Sequence, residues 1–87
     1  MSEPGGVVRI RYFASARDAA GRSSQAAPAG QSLAATLDRL VKDRGDDFAR
    51  ALATATFLVD GARRPLSDDG PLPAGSTVDV LPPFAGG

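Results

Sequence analysis

Thr77-Val78-Asp79-Val80-Leu81-Pro82-Pro83-Phe84-Ala85-Gly86-Gly87 is the stretch that decides how this chain folds. Its opening alternates: Val78 and Val80 fall on one side, Thr77, Asp79 and Leu81 on the other. That is the period of a strand with one buried face. Pro82 and Pro83 stop it, because each fixes φ near about −65° and removes a backbone donor. An extended, polyproline-like path is left to the residues that follow. Residues 82–87 can reach at most about 20 Å at ~3.3 Å each. Gly86 and Gly87 carry no Cβ, so a narrow channel can close around their backbone. The expected division is a disordered leader at 1–6, a folded domain at 7–81 and an extended, flexible, reactive tail at 82–87. The reactive group of such a tail is the main-chain carboxylate of Gly87, not a side chain.

A strand of this kind needs neighbours, and the chain supplies them. Val7 to Phe13 also alternates, with Val8, Ile10 and Tyr12 towards a core and Arg9, Arg11 and Phe13 on the opposite face. Ala14 to Ala20 reads as a short helix starting near Ser15 or Ala16 and stopping at Gly21. Ser23 to Pro28 is a second strand, and Ala29-Gly30 a turn. Ser32 is placed to cap the main helix. Leu33, Leu37, Leu40 and Val41 follow the spacing of one buried helical stripe, and Gly45 ends it. Asp46 or Asp47 can cap a further short helix carrying Phe48 and Leu52.

Thr56 to Val59 is β-branched and apolar, and Asp60-Gly61 behind it is a hairpin signal. Arg63 to Leu66 is the expected return strand, with Pro65 placing it at an edge. Ser67 to Gly75 is loop, with Leu72 tucked inward. Strands and helices in this order predict an α+β fold: a mixed sheet with one main helix packed on one face.

Composition narrows the function classes. The chain is 43% hydrophobic and 23% charged, which suits a folded globular domain. Ten basic and ten acidic residues balance, whereas a nucleic-acid partner calls for a basic excess. No apolar run approaches the ~20 residues of a membrane span. Met1 to Gly6 has neither the basic start nor the apolar run of a signal peptide. No nucleic acid, no membrane and a cytoplasmic location are therefore expected. Cysteine and histidine are both absent, which removes thiolate nucleophiles, the usual transition-metal ligands and the commonest general base. No bound metal and no side-chain catalysis are expected.

The helix stripe can cover only one sheet face, so the other faces outward. By parity that face carries Arg9, Arg11 and Phe13, then Leu58, then Thr77, Asp79 and Leu81. Phe13, Leu58 and Leu81 would form an apolar patch beside the tail's exit, a pattern that marks protein interfaces. Asp79 can pair with Arg9 or Arg11 across neighbouring strands.

These residues carry a resemblance. Arg9-Ile10-Arg11-Tyr12-Phe13-Ala14, Ala16-Arg17 with Gly21, Leu33 to Leu40, Val59-Asp60-Gly61 and Asp79 to Gly87 resemble the MoaD branch of the MoaD/ThiS sulfur carriers. The Pro-Pro-x-x-Gly-Gly ending is the most specific part. The resemblance implies a ubiquitin-like β-grasp fold and the role of small subunit of molybdopterin synthase, in molybdenum cofactor biosynthesis. It implies that a ubiquitin-activating-type adenylyltransferase, using ATP and Mg2+, adenylates the Gly87 carboxylate. A sulfur donor protein then makes the thiocarboxylate. The carrier docks on the synthase large subunit, in a heterotetramer, and gives sulfur to cyclic pyranopterin monophosphate. It binds no cofactor itself and is not catalytic alone.

Carried over by position, Gly87 matches the reactive terminus and Gly86 the residue that fits the narrow channel. Phe13 and Leu81 match apolar docking positions. Leu58, Pro82, Pro83, Phe84 and Ala85 complete the implied partner-binding set. Arg63 departs from the pattern, standing where the family can place an apolar docking residue, so that contact differs or moves to Leu58. The same tail chemistry also serves carriers for thiamine, cysteine or specialised sulfur metabolites, and ubiquitin-like modifiers that join Gly87 to lysine. A passive interaction module, whose tail is never activated, is the remaining alternative.

Overall fold

The two most regularly alternating segments of the sequence lie side by side at the centre of the sheet. In the computed structural model, which describes residues 6–83, the elements run β1 (Val7–Tyr12), α1 (Ser15–Ala20), β2 (Ser24–Pro28), α2 (Leu33–Arg44), α3 (Asp46–Thr54), β3 (Thr56–Val59), β4 (Ala62–Arg63) and β5 (Thr77–Leu81). The sheet order is β2-β1-β5-β3-β4. β1 and β5 are parallel, in the register Ile10 opposite Val78 and Tyr12 opposite Val80. The pairs β1–β2, β3–β5 and β3–β4 are antiparallel. This is the expected α+β architecture with a mixed sheet.

Alternation sends Val8, Ile10, Tyr12, Val78 and Val80 to the inner face, each at most 2% exposed. Phe57 joins them from β3, and the helices meet them with Ala16, Ala20, Leu33, Leu37, Leu40, Phe48 and Leu52. Val41 packs at the margin of this core, half-buried. Leu72 lies in a loop yet is fully buried. Its N–H donates to Gln31 O and its carbonyl accepts from Gly30 N–H, both at 2.8 Å, so the loop is clamped to the start of α2.

α2 begins as its sequence predicts. Ser32 is the N-cap, and its Oγ accepts from Ala35 N–H at 3.1 Å. α3 begins differently. Gly45, at φ 98°, ends α2 and is also the N-cap of α3. Asp46 and Asp47 therefore sit in the first turn rather than at the cap, where the helix dipole favours their negative charge. β4 is also shorter than expected. It ends at Arg63 instead of running to Leu66. Pro65 has no N–H for the ladder, which fades after Arg64 N–H reaches Phe57 O at 3.0 Å.

A polar network joins four elements at one end of the core. The Tyr12 hydroxyl lies 2.7 Å from Gln25 Oε1, to which it donates, and Arg44 Nη2 donates to the same oxygen at 2.7 Å. Arg44 Nη1 caps the end of α1 through Ala20 O at 3.0 Å. Its guanidinium lies 5.4 Å from the Phe48 ring centre, and Phe48 meets Tyr12 edge-on at 5.7 Å. Burial pushes the Tyr12 phenol up, and the positive charges of Arg44 and Arg22 oppose it in part.

A phenol whose folded pKa is raised keeps its contribution to stability below the unfolded value. It loses it as pH rises from about 10 through the folded pKa. Tyr12 is the single tyrosine, so phenolate absorbance reports it alone. The native chain should titrate above the urea-unfolded chain, whose midpoint should lie near 10. A native midpoint at or below the unfolded one would refute the buried phenol.

Candidate functional site

Because β1 and β5 run parallel, they finish at the same end of the sheet. Phe13 follows Tyr12, and its N–H continues the ladder to Val80 O at 3.1 Å. Leu81 is the last residue of β5 and lies opposite Thr56 of β3. Leu58 lies opposite Asp79 on one side and Arg63 on the other. Parity thus puts Phe13, Leu81 and Leu58 on the outer face. Phe13 is 37% exposed, while Leu58 and Leu81 are half-buried. Thr56 shares that face by register but is buried.

The centre of this patch is charged. Arg11 Nε meets Asp79 Oδ1 at 2.6 Å and Arg11 Nη2 meets Asp79 Oδ2 at 2.9 Å, a bidentate pair across the parallel strands. Of the two partners open to Asp79, Arg11 takes the place. The hydrogen bonds that Arg11 donates to Asp79, then the charge of that carboxylate, raise the Arg11 pKa further. The guanidinium also stands 5.6 Å from the Phe13 ring centre, within reach of a cation–π contact. Arg11 therefore links the carboxylate of one central strand to the aromatic ring at the end of the other. An exposed pair of this kind adds little stability.

The backbone holds Phe13 as well. Ala14 has φ 52° and ψ −125°, a region costly for any residue with a Cβ, by about 1–3 kcal/mol. The neighbouring bonds enforce it. Phe13 O accepts from Ala16 N–H at 3.1 Å, and Ala14 O accepts from Asp18 N–H at 3.2 Å. Two residues, Phe13 and Ala14, thus carry the chain from β1 into α1. No sequence signal marked this position or the reach of Arg44. An alanine-rich segment does not reveal which alanine takes a positive φ.

At the opposite end of β5 the Asp60-Gly61 turn is fastened to the strand. Asp60 Oδ1 accepts from Thr77 N–H at 2.9 Å, and Asp60 N–H donates to Thr77 O at 2.8 Å. Pro82, half-buried, and Pro83, exposed, follow Leu81 without regular structure. Phe84, Ala85, Gly86 and Gly87 lie outside the described residues, as does the leader up to Gly5. Among the described residues no group of acidic side chains could hold a metal ion. No helix among them is long and apolar enough to cross a membrane.

The ThiS family model matches residues 10–87. No curated protein sequence matches the chain. Solved structures match it in fold. A Pyrococcus furiosus protein described as molybdopterin converting factor subunit 1 superposes with a TM-score of 0.76 at 24% identity, over 91% of this chain and 99% of that one. Small archaeal modifier protein 1 of Haloferax volcanii gives 0.73 at 21%, over 94% and 100%. Subunit 1 of the Helicobacter pylori molybdopterin-converting factor, solved in complex with subunit 2, gives 0.65 at 18%, over 93% and 99%. The shared fold is the ubiquitin-like β-grasp.

Glycine at position 14 should relieve the strained backbone. Ala14→Gly is expected to stabilise the fold by about 1 kcal/mol, a rise in Tm of about 4–8 °C for a domain of this size. Thermal denaturation followed by circular dichroism measures it. A fall in Tm would show that Ala14 is not strained.

Proposed function

The chain belongs to the ThiS family, and from that premise we propose that it is a sulfur carrier whose terminal Gly87 carboxylate is the reacting group. What supports this reading most is that the family match runs through Gly86 and Gly87 themselves. A carboxylate is unreactive towards sulfur nucleophiles until its oxygen has a good leaving group. An activating enzyme supplies one by letting a Gly87 oxygen attack the α-phosphate of ATP, with Mg2+ balancing the phosphate charge, and pyrophosphate leaves. A sulfide-level nucleophile from a donor protein then displaces AMP, and the terminus becomes a thiocarboxylate. Glycine suits this chemistry because no side chain crowds the carbonyl.

The finer proposal is the molybdopterin synthase small subunit, supplying sulfur for a pterin dithiolene. The Pro82-Pro83-Phe84-Ala85-Gly86-Gly87 ending and the fold neighbours described as converting-factor subunits support it. In this reading the outer face docks on a large catalytic subunit. Phe13, Leu58 and Leu81 make the apolar contact, and residues 82–87 thread into the active site. The carrier is a co-substrate there, not a catalyst on its own, and works in the cytoplasm. The likeness in fold to a small archaeal modifier protein supports a second reading, in which Gly87 is joined to lysine. The two readings share the activation step and differ in the acceptor.

Intact-mass spectrometry tests the common step. After incubation with an adenylyltransferase of this family, ATP, Mg2+ and sulfide, the chain should gain the mass of one oxygen exchanged for sulfur. The chain lacking Gly87 should gain nothing and keep its circular dichroism spectrum. No gain, with the same enzyme active on a control carrier, would overturn the sulfur-carrier reading.

Docking is tested apart from chemistry. Phe13→Ala and Leu81→Asp should each weaken binding to the source organism's large subunit about tenfold or more in titration calorimetry. Unchanged affinity in both would move the interface elsewhere.

A further inference from the structure

β2 is an outermost strand of the sheet and pairs only with β1. The hydrogen bonds on its closed side fix what its open side presents. Tyr12 N–H donates to Ser23 O, and Ala29 N–H donates to Gly6 O. Bonded and unbonded pairs alternate along an antiparallel ladder. Between those two bonds, Ile10 with Gln25 and Val8 with Ala27 are therefore the bonded pairs, while Arg9 with Ala26 and Arg11 with Ser24 are unbonded. Arg9 N–H agrees with this phase, because it turns the other way, to Ser76 O at 3.0 Å. The N–H and C=O of Ser24 and of Ala26 thus point away from the sheet, and no backbone group among the described residues meets them. Pro28 shares their parity but has no N–H, so it blunts one end of this edge. Outward-pointing groups of this kind are a template for a further strand.

The ground beside the edge is cationic. Ala26 is exposed and carries only a methyl group, and Arg9 lies next to it on the outer face. Arg9 is exposed too, and its side chain has no ion pair among the described residues. With Val7, Ser76 and Thr77 these two help to wall a hollow of about 210 Å3, in which Arg9 is the only charged residue. β2 itself carries no charge. Arg22 precedes it, and no acidic residue occurs between Asp18 and Asp38. A strand added to β2 sets one residue opposite Ala26, with its side chain on this same face. That residue stands two strand spacings, about 10 Å, from Arg9. A glutamate there reaches over the methyl group towards the guanidinium.

We infer that the β2 edge takes an extended segment of a partner protein, in which an acidic residue pairs with the Ala26 backbone and meets Arg9. Main-chain bonds supply the hold and the carboxylate supplies the register. A second copy of this domain fits the edge poorly. It brings no carboxylate on β2, and antiparallel pairing about Ala26 would set Pro28, which lacks the donor, opposite Ser24. Arg9 lies four residues before Phe13, about 13 Å along the strand. A segment held here leaves Phe13, Leu81 and the tail uncovered. The inference goes beyond the sulfur-carrier reading and does not depend on it. It gives the domain a tether, by which one protein holds it while another works on its terminus.

Peptide titration of the intact chain tests the edge, read from amide signals by nuclear magnetic resonance. The probe is a capped peptide, Ser-Thr-Val-Glu-Val-Thr-Ser. The signals of Ser24 and Ala26 should move downfield, and further than those of Gln25 and Ala27, whose N–H groups already bond to β1. Glutamine in place of the glutamate should weaken binding about threefold, as expected for an exposed charge pair. In Arg9→Gln that difference should vanish with the amide map otherwise kept. Methylating the backbone nitrogen of the glutamate removes the donor to Ala26 O and should abolish binding. No movement of Ser24 and Ala26 at millimolar peptide would overturn the inference, as would equal binding of the glutamate and glutamine peptides. Shifts centred on Phe13 and Leu81 would put the peptide on the apolar patch and overturn it too. Shifts at Ser24 and Ala26 that grow with protein concentration, without peptide, would give the edge to a second copy and overturn the acidic partner. Sulfur loading of Gly87 is read separately, so either proposal can fail alone.

Discussion

The parallel pairing of β1 with β5 is the constraint on which the rest of this structure depends. Its register, Arg9 opposite Thr77 through Tyr12 opposite Val80, sends five apolar side chains to one face and three charged ones to the other. A slip of one residue would exchange the faces. Arg11 would then lose Asp79, and the helices would have no apolar floor. Parallel strands also require a long connection between them, and residues 13–76 provide it. All three helices, β2 and the β3–β4 hairpin belong to that connection. The sheet's centre thus joins the two ends of the domain and leaves its middle to cover one side.

The covered side owes its order to more than hydrocarbon. Gln25 accepts from both Tyr12 and Arg44, and Arg44 also closes the end of α1. Short helices such as α1 have little stability of their own. A side chain from α2 that satisfies the last carbonyl of α1 ties the two in a fixed relation. That relation reaches the outer face through Ala14, the one residue between Phe13 and α1. The orientation of an exposed ring is thereby linked to packing on the opposite side of the sheet.

Much of this fold was legible in the chain. Alternation over Val7 to Phe13 and Thr77 to Leu81 has one structural meaning when both segments are flanked by turn residues. Ser32 and Gly45 mark helix ends by mechanisms local to the backbone. The outer placement of Phe13, Leu58 and Leu81 followed from parity alone. What could not be read depends on non-local fit. Pro65 announced an edge, but not that its strand would stop before it. Asp46 and Asp47 were capping candidates by type, yet Gly45 already held the corner. Arg44 looked like an ordinary basic residue in a last helical turn. Its reach to Ala20 and Gln25 required knowing that α1 and β2 pack beneath it.

Both margins of the sheet are blunt. β2 ends in Pro28, and β4 is two residues long with Pro65 shortly after it. The β4 margin offers another molecule no long row of open donors and acceptors, which is how sheets extend from copy to copy into fibrils, and Pro28 closes one end of the five-residue β2 margin. The outer face, with its Arg11–Asp79 pair among apolar neighbours, likewise resists dry stacking on itself. On the β4 side, then, the sheet gives a second copy of the chain little backbone to pair with.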